Sequence, residues 1–472
     1  MGTGGVSNER LAGAMNRYRT LSMWHDTVPG DDFTPRPSLP GDLDVDVCIV
    51  GAGYTGLWTA YYLKKADPSL RLAIVEKEIA GFGASGRNGG WCSPYFATAA
   101  DKLAQAGTRD GAIALQREML NTIAEVGRVC DDESIAADYH RGGTLTFART
   151  PAQLVSVRAE FDHLSQWGFG DEDIQWLGAA EACARVAVTS VLGAIFSPHC
   201  ARVHPAKLVR GLARVVESLG VPIYERTTVT DRTRGGVSTT AGHVKADVTV
   251  RATEGYTVAL PQLHRALIPV YSLMLATEPL AEHVWEQIGW RGEECFSDGR
   301  RMLVYLARTA DGRIAMGGRG APYHFGSHID ARFEREPRVH GALYRELCEL
   351  LPAVKGAAVT HRWGGPIGIA RDWCSSVGFD RTLGDAWALG YVGDGVATSN
   401  LAGRTLADLI TGRSTPLTAL PWVGHHSQQW EPEPLRWIGV NAAQWLMAGV
   451  DKVETRTGKP SRRAKLIDRF VG

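Results

Sequence analysis

DVDVCIVGAGYTGLWTA, residues 44–60, is the stretch whose reading decides the fold. Its apolar run over 45–50 reads as a buried strand that stops at a glycine turn, and 57–65 then takes up helical spacing. A second strand at 71–75 closes a βαβ unit of about 30 residues. Gly51, Gly53 and Gly56 stand between strand and helix. The first permits the tight turn, the second lets backbone approach a pyrophosphate, and the third packs helix on strand. The helix N-terminus, opened by Tyr54 and Thr55, then faces the negative charge. Glu76 ends the following strand with Lys77 beside it, placed to accept from ribose hydroxyls; its charge argues against a 2'-phosphate by repulsion. The unit is half of a dinucleotide-binding fold.

A second glycine-rich run, GFGASGRNGG at 81–90, follows close behind Glu76. Such a run lets backbone N–H groups approach a phosphate or a flat ring. Gly83, Ala84, Gly89 and Gly90 provide the backbone, and Ser85, Arg87 and Asn88 offer side-chain donors. A long cofactor needs this second cradle, whereas the first motif alone does not separate NAD from FAD.

Working outward, helical patterns run over 109–128, 151–167 and 205–219, with strands at 143–148, 221–224, around Val229 and at 247–252. Two apolar runs, 303–308 and 313–317, flank Ala310-Asp311-Gly312 and predict a hairpin in a β-rich region. Near the end, 386–392 reads as a strand, Gly393-Asp394-Gly395 as a turn and 396–410 as a helix ending before Gly412.

Composition bounds the function. At 472 residues the chain exceeds one ordinary core of roughly 250–300 residues, so two domains are expected. Lys plus Arg equals Asp plus Glu at 51 each, so the net charge points away from nucleic acid or an anionic membrane and toward a small-molecule partner. The eight cysteines show neither a CxxC pair nor metal-ligand spacing, so no metal is expected and free thiols in a reducing cytoplasm fit. No stretch of about 18 apolar residues predicts a membrane span. The tail carries Trp422, Trp430, Trp437 and Trp445, read as an amphipathic helix covering the nucleotide domain. Its basic residues Lys459, Arg462, Arg463, Lys465 and Arg469 are read as a solvated face.

These segments resemble the D-amino-acid oxidase superfamily of FAD enzymes, especially the bacterial branch of gamma-glutamylputrescine oxidase, with glycine and sarcosine oxidases as further relatives. The resemblance rests on DVDVCIVGAGYTGLWTA, GFGASGRNGG, Val203-His204-Pro205, ADVTVRATEGYT, ARTADGRIAMGG, WGGPIG and GYVGDGVATSNLAGRTLADLI. It implies an α/β fold: a discontinuous Rossmann-like FAD-binding domain (42–130, 197–265, 355–415) with an inserted mixed or antiparallel β-sheet substrate domain (131–196, 266–354). A lead-in (1–41) and a helical extension (416–472) flank these. It also implies that Val229 backbone meets the adenine side and that Gly393, Asp394, Gly395, Val396 and Ala397 close over the flavin.

The implied activity is oxidation of a C–N bond in a small amine or amino acid: a hydride passes to flavin N5 and the imine hydrolyses. Tyr271, Tyr305, Arg308, Arg319 and Trp363 fall in segments that the resemblance places near the substrate, as aromatic walls and carboxylate-binding arginines. His204 and His361 read as structural. Where relatives carry a histidine before the last helix this chain has Asp394. Ala315 stands where sarcosine oxidases have an oxygen-activating lysine, which leaves the electron acceptor open. Cys374 lies downstream of the tethering cysteine of such enzymes, implying noncovalent FAD. Two other readings stay open: an FAD-bearing scaffold or electron-relay subunit of a hetero-oligomeric dehydrogenase, and an NAD(P)H-dependent flavoprotein.

Overall fold

Strand Leu43–Val50 pairs in parallel with Gly242–Arg251 along its length and with Leu72–Val75 over Val47–Val50, so that second half is buried on both faces and wholly apolar. In this computed structural model, which describes residues 17–318, 322–459 and 461, it forms the middle of an eight-stranded sheet. The order is Ser376–Asp380, Asp385–Leu389, Gly242–Arg251, Leu43–Val50, Leu72–Val75 and Ile223–Tyr224, with the hairpin Val229–Thr233 and Gly236–Thr239 attached to Gly242–Arg251. Three separated pieces of the chain therefore build one sheet. Helices Tyr54–Ala66, Arg109–Asp132, Pro205–Ser218 and Gly395–Thr411 contribute to the large core on it.

A second eight-stranded sheet runs Val359–Ile369, Ile268–Thr277, Ile314–Gly318, Val304–Arg308, Cys295–Asp298, Thr144–Ala148, Gly193–Ser197 and Gln175–Gly178. Its pairings are antiparallel except Cys295–Asp298 on Thr144–Ala148. The expected hairpin is present, with Gly312 at φ 76° in its turn. One boundary moves. The segment from 355 was expected in the first domain, but strand Val359–Ile369 pairs along nearly its whole length with Ile268–Thr277 and so belongs to the second sheet. Its sequence, VTHRWGGPIGI, does not say which sheet it joins, and the pairing decides.

The tail also departs from expectation. Trp422 and Trp430 are buried, but helix Leu435–Thr457 is fixed to segments beside the second sheet, through Asn441 to Tyr323 and Asp451 to Arg301 and Met302. Toward the segments expected in the nucleotide domain it reaches through Arg436, which donates to the carbonyl of His264. No helix among the described residues is long and apolar enough to cross a membrane.

Candidate functional site

Helices Arg109–Asp132, Pro151–Gln166 and Pro205–Ser218 are capped by Thr108, Thr150 and His204, whose side chains accept from backbone N–H groups of the first turn. Helices Tyr54–Ala66 and Gly395–Thr411 have neither a side-chain cap nor an acidic residue in the first turn. Both of these N-termini open into the same cleft, of about 1110 Å³, which runs between the two sheets. Beyond Tyr54 N, which donates to Ser85 Oγ, the first-turn N–H groups and the positive helix ends give this floor a potential that suits an anion.

The glycines around it are sterically required. A Cβ on Gly56 would meet the carbonyl oxygen of Gly51 at 2.0 Å, and one on Gly51, which sits at φ 108°, would meet that of Ala252 at 2.6 Å. Glu76 stands at the far end with one oxygen accepting from Ala52 N (2.9 Å) and the other from Glu78 N (2.9 Å). Burial raises its carboxyl to about 7, so it is poised to gain from a further donor. A long ligand with an anionic middle and a hydroxyl-bearing end fits these residues. Among the described residues no cysteine lines the cleft.

Of the expected cofactor residues, Gly51, Gly53, Tyr54, Thr55, Glu76, Lys77, Gly83, Ala84, Ser85, Arg87, Asn88, Gly89, Val229, Gly393, Asp394, Gly395 and Val396 line the cleft. Gly56, Gly90 and Ala397 do not line it. The donors are used differently from expectation. Asn88 spends its amide on the carbonyls of Ala84 and Ser85 and accepts from Gly90 N, so it shapes the loop rather than reaching outward. Ser85 Oγ accepts from Tyr54 N at 2.9 Å, tying the loop to the helix start. The guanidinium of Arg87 is buried and held by Glu334 (2.7 Å), the carbonyl of Gly364 (3.1 Å) and the hydroxyl of Tyr256 (2.7 Å).

The expected substrate residues separate. Tyr305 lines the cleft, its ring lying between Gly317 and Gly89 and its hydroxyl 2.9 Å from Ser272 Oγ. Arg308 does not. Three positions along the same strand it takes the opposite face, donates to the carbonyl of Trp290 and stacks over Trp285. Tyr271 likewise faces away, hydrogen-bonded to Asp330 and packed on Phe333, while its neighbours Ser272 and Met274 enter the cleft. Trp363 is on the cleft side of its sheet but lies beneath the glycine-rich loop, donating to the carbonyl of Arg87 at 2.9 Å. Arg319 lies outside the described residues.

Both histidines set aside are structural. His204 accepts from Lys207 N and contacts Thr27, and burial lowers it to about 4; His361 contacts Asp26 and Thr360.

Glu254 was missed although it lies in the quoted ATEGYT segment. Its carboxylate accepts from Gly390 N (2.9 Å) and Tyr391 N (3.3 Å) and from Gly368 N, joining the ends of both sheets, and burial raises it to about 7. Trp91, Tyr95, Tyr256 and Ser272 also line the cleft. Nothing local pointed to Ser272, Trp91 or Tyr95. One cluster of potential metal ligands, Asp372, Cys374 and His425, occurs among the described residues. His425 Nε2 lies 2.8 Å from Asp372, an ion pair that accounts for the grouping without a metal.

The fold and the cleft are those of a flavin-binding oxidoreductase, and comparison with known proteins agrees. The model of the DAO family, FAD dependent oxidoreductase, matches residues 46–409, and the chain belongs to that family. It is 30% identical over 400 residues to the probable oxidoreductase OrdL of Rhizobium meliloti, covering 81% of this chain and 87% of that protein. It is 27% identical over 401 residues to gamma-glutamylputrescine oxidoreductase of Escherichia coli, covering 84% and 90%. Its fold is similar to the crystal structure of glycine oxidase from Geobacillus kaustophilus, with TM-score 0.66 and 22% identity over 81% of this chain and 99% of that one. The protein is an FAD-dependent oxidoreductase.

Proposed function

We propose that the protein oxidises a C–N bond of a small amine or amino acid. The supporting observation is the single cleft that leads from Glu76, past two uncapped helix N-termini, to a chamber walled by Trp91, Tyr305 and Met274. Bound FAD supplies the two-electron, hydride-accepting chemistry. Glu76 would hold the ribose hydroxyls, and the N–H groups of Thr55 and its neighbours would hold the pyrophosphate. The start of helix Gly395–Thr411 would present its positive end to the bound cofactor and favour negative charge on it.

On the other side, Tyr305, Trp91 and Met274 bind the alkyl part of the amine and exclude water, and Tyr305 is fixed through Ser272. The carbon beside the neutral amine gives up a hydride and the nitrogen a proton, leaving an imine that water hydrolyses to a carbonyl compound and the released amine or ammonia. The relatives named for gamma-glutamylputrescine and glycine support this class of substrate.

The test is anaerobic mixing of the flavin-loaded protein with a panel of monoamines, polyamines, N-methyl amino acids and D- and L-amino acids, following absorbance near about 450 nm. Bleaching by one amine class is the expected result, and readmitted air then distinguishes oxidase from dehydrogenase. Bleaching by NADH or NADPH alone, or by none of the panel, overturns the proposal.

A further inference from the structure

We propose that the outer face of helix Leu435–Thr457 seats the protein on an anionic lipid surface. This rests on surface features alone and is independent of the substrate reading above.

The helix is fixed at both ends, so its outer face is a built surface rather than a loose flap. Near its start the buried Arg436 pairs with Glu433 and donates to the carbonyl of His264, and Asn441 reaches the carbonyl of Tyr323. Near its end Val450 is buried, and Asp451 accepts from Arg301 N (2.9 Å) and Met302 N (2.6 Å).

The opposite face is apolar and uncovered. Leu435 (63% exposed), Ile438 (53%), Trp445 (73%) and Leu446 (37%) project from it, with the exposed Ala442 and Gly449 in the same stripe. Their spacing of three and four residues keeps them within about 100° of helix circumference. Trp437 flanks the stripe, also exposed. From 435 to 450 the only charged residue is Arg436, which points inward.

Charge then changes abruptly. Residues 451–472 carry seven Lys or Arg against three Asp or Glu, in a chain whose total charges balance at 51 each. Two of those three acids are turned to internal contacts, Asp451 as above and Glu454 by accepting from Ser461 N at 2.8 Å. A helix with a Trp-bearing apolar stripe, continued along the same face by the exposed Lys452 and Arg456 and followed in sequence by further basic residues, is the pattern of an interfacial helix, whose ring systems enter the headgroup layer while the cations meet anionic lipid. A second copy or a protein partner would bury the same stripe without using the basic excess.

The experiment is co-sedimentation of the full, flavin-loaded chain with vesicles of phosphatidylcholine alone and of an equal mixture with phosphatidylglycerol. Binding to the mixed vesicles, weakened by added salt, is expected. The double variant Ile438→Ser, Trp445→Ser should lower partitioning by at least about tenfold while keeping its flavin spectrum, because both side chains are exposed. Failure to sediment with either vesicle overturns the proposal. So does a dimer in light scattering that this double variant turns into a monomer, since the face would then be an interface between copies.

Discussion

Replacing Gly317 by alanine tests how the substrate wall is built. A Cβ at that position would stand 2.2 Å from Cζ of Tyr305, 2.3 Å from its hydroxyl oxygen and 2.4 Å from Cε2. The ring must retreat by roughly 1 Å to regain van der Waals contact. It cannot retreat straight back, since on its other side the Gly89 position would place a Cβ 2.5 Å from Cε2. It therefore swings toward the cleft and gives up its 2.9 Å contact with Ser272. Overpacking of this kind costs about 1–3 kcal/mol. Expressed at the chamber, that lowers kcat/KM for the amine by roughly 5- to 150-fold. Flavin content should be unchanged, because Gly317 does not line the cleft.

The assay is stopped-flow reduction under anaerobic conditions for Gly317→Ala, Tyr305→Ala and the double variant. If the alanine acts by displacing the ring, it adds little once the ring is gone, so the double variant should match Tyr305→Ala. A fully flavinated Gly317→Ala protein within twofold of the parent would refute the placement of Tyr305 as a substrate wall.

Glu76 should make FAD affinity depend on pH. Its carboxyl stands near 7 in the free protein, and ribose hydroxyls donate to the ionised form, so binding releases a proton and affinity rises as pH increases through 7. Fluorescence titration should show a slope of up to about tenfold per pH unit below that value, and Glu76→Gln should flatten it. The ion pair of His425 and Asp372 should give a different profile. Chiefly through its hydrogen bond to Asp372, His425 is raised from 6.5 to about 10. Its stabilisation is complete below pH 6.5 and lost as pH rises through 10, while Asp372, held down by His425 and Ser427 against burial, loses its share in acid. The Tm difference between the parent and Asp372→Asn should therefore shrink steadily from pH 6.5 to 10, and a difference independent of pH would count against the pair.

Residue types with an obligatory local geometry made much of the fold and the cofactor cleft legible. Gly51 needs its positive φ in the turn itself, and Gly56 its missing Cβ because the clash is with the Gly51 carbonyl five residues back in the chain. Gly312 fixes its hairpin turn in the same way. The resemblance supplied the discontinuous arrangement that no local pattern contains.

Tertiary structure decided what depends on partners remote in sequence. Tyr271 and Arg308 were placed near the substrate by segment, yet side chains alternate along a strand, and the pairing of Ile268–Thr277 and Val304–Arg308 with Ile314–Gly318 turned Ser272, Met274 and Tyr305 inward instead. Strand Val359–Ile369 could join either sheet until its ladder with Ile268–Thr277 formed. Four tail tryptophans looked alike in sequence, but Trp422 and Trp430 found cores while Trp437 and Trp445 were left outward by a helix anchored at Tyr323 and Arg301. The sequence by itself determined where the backbone must turn and approach a phosphate, since those demands are local. Which face each side chain presents was left to the tertiary structure, because that is set by strand register and helix docking across long stretches of chain.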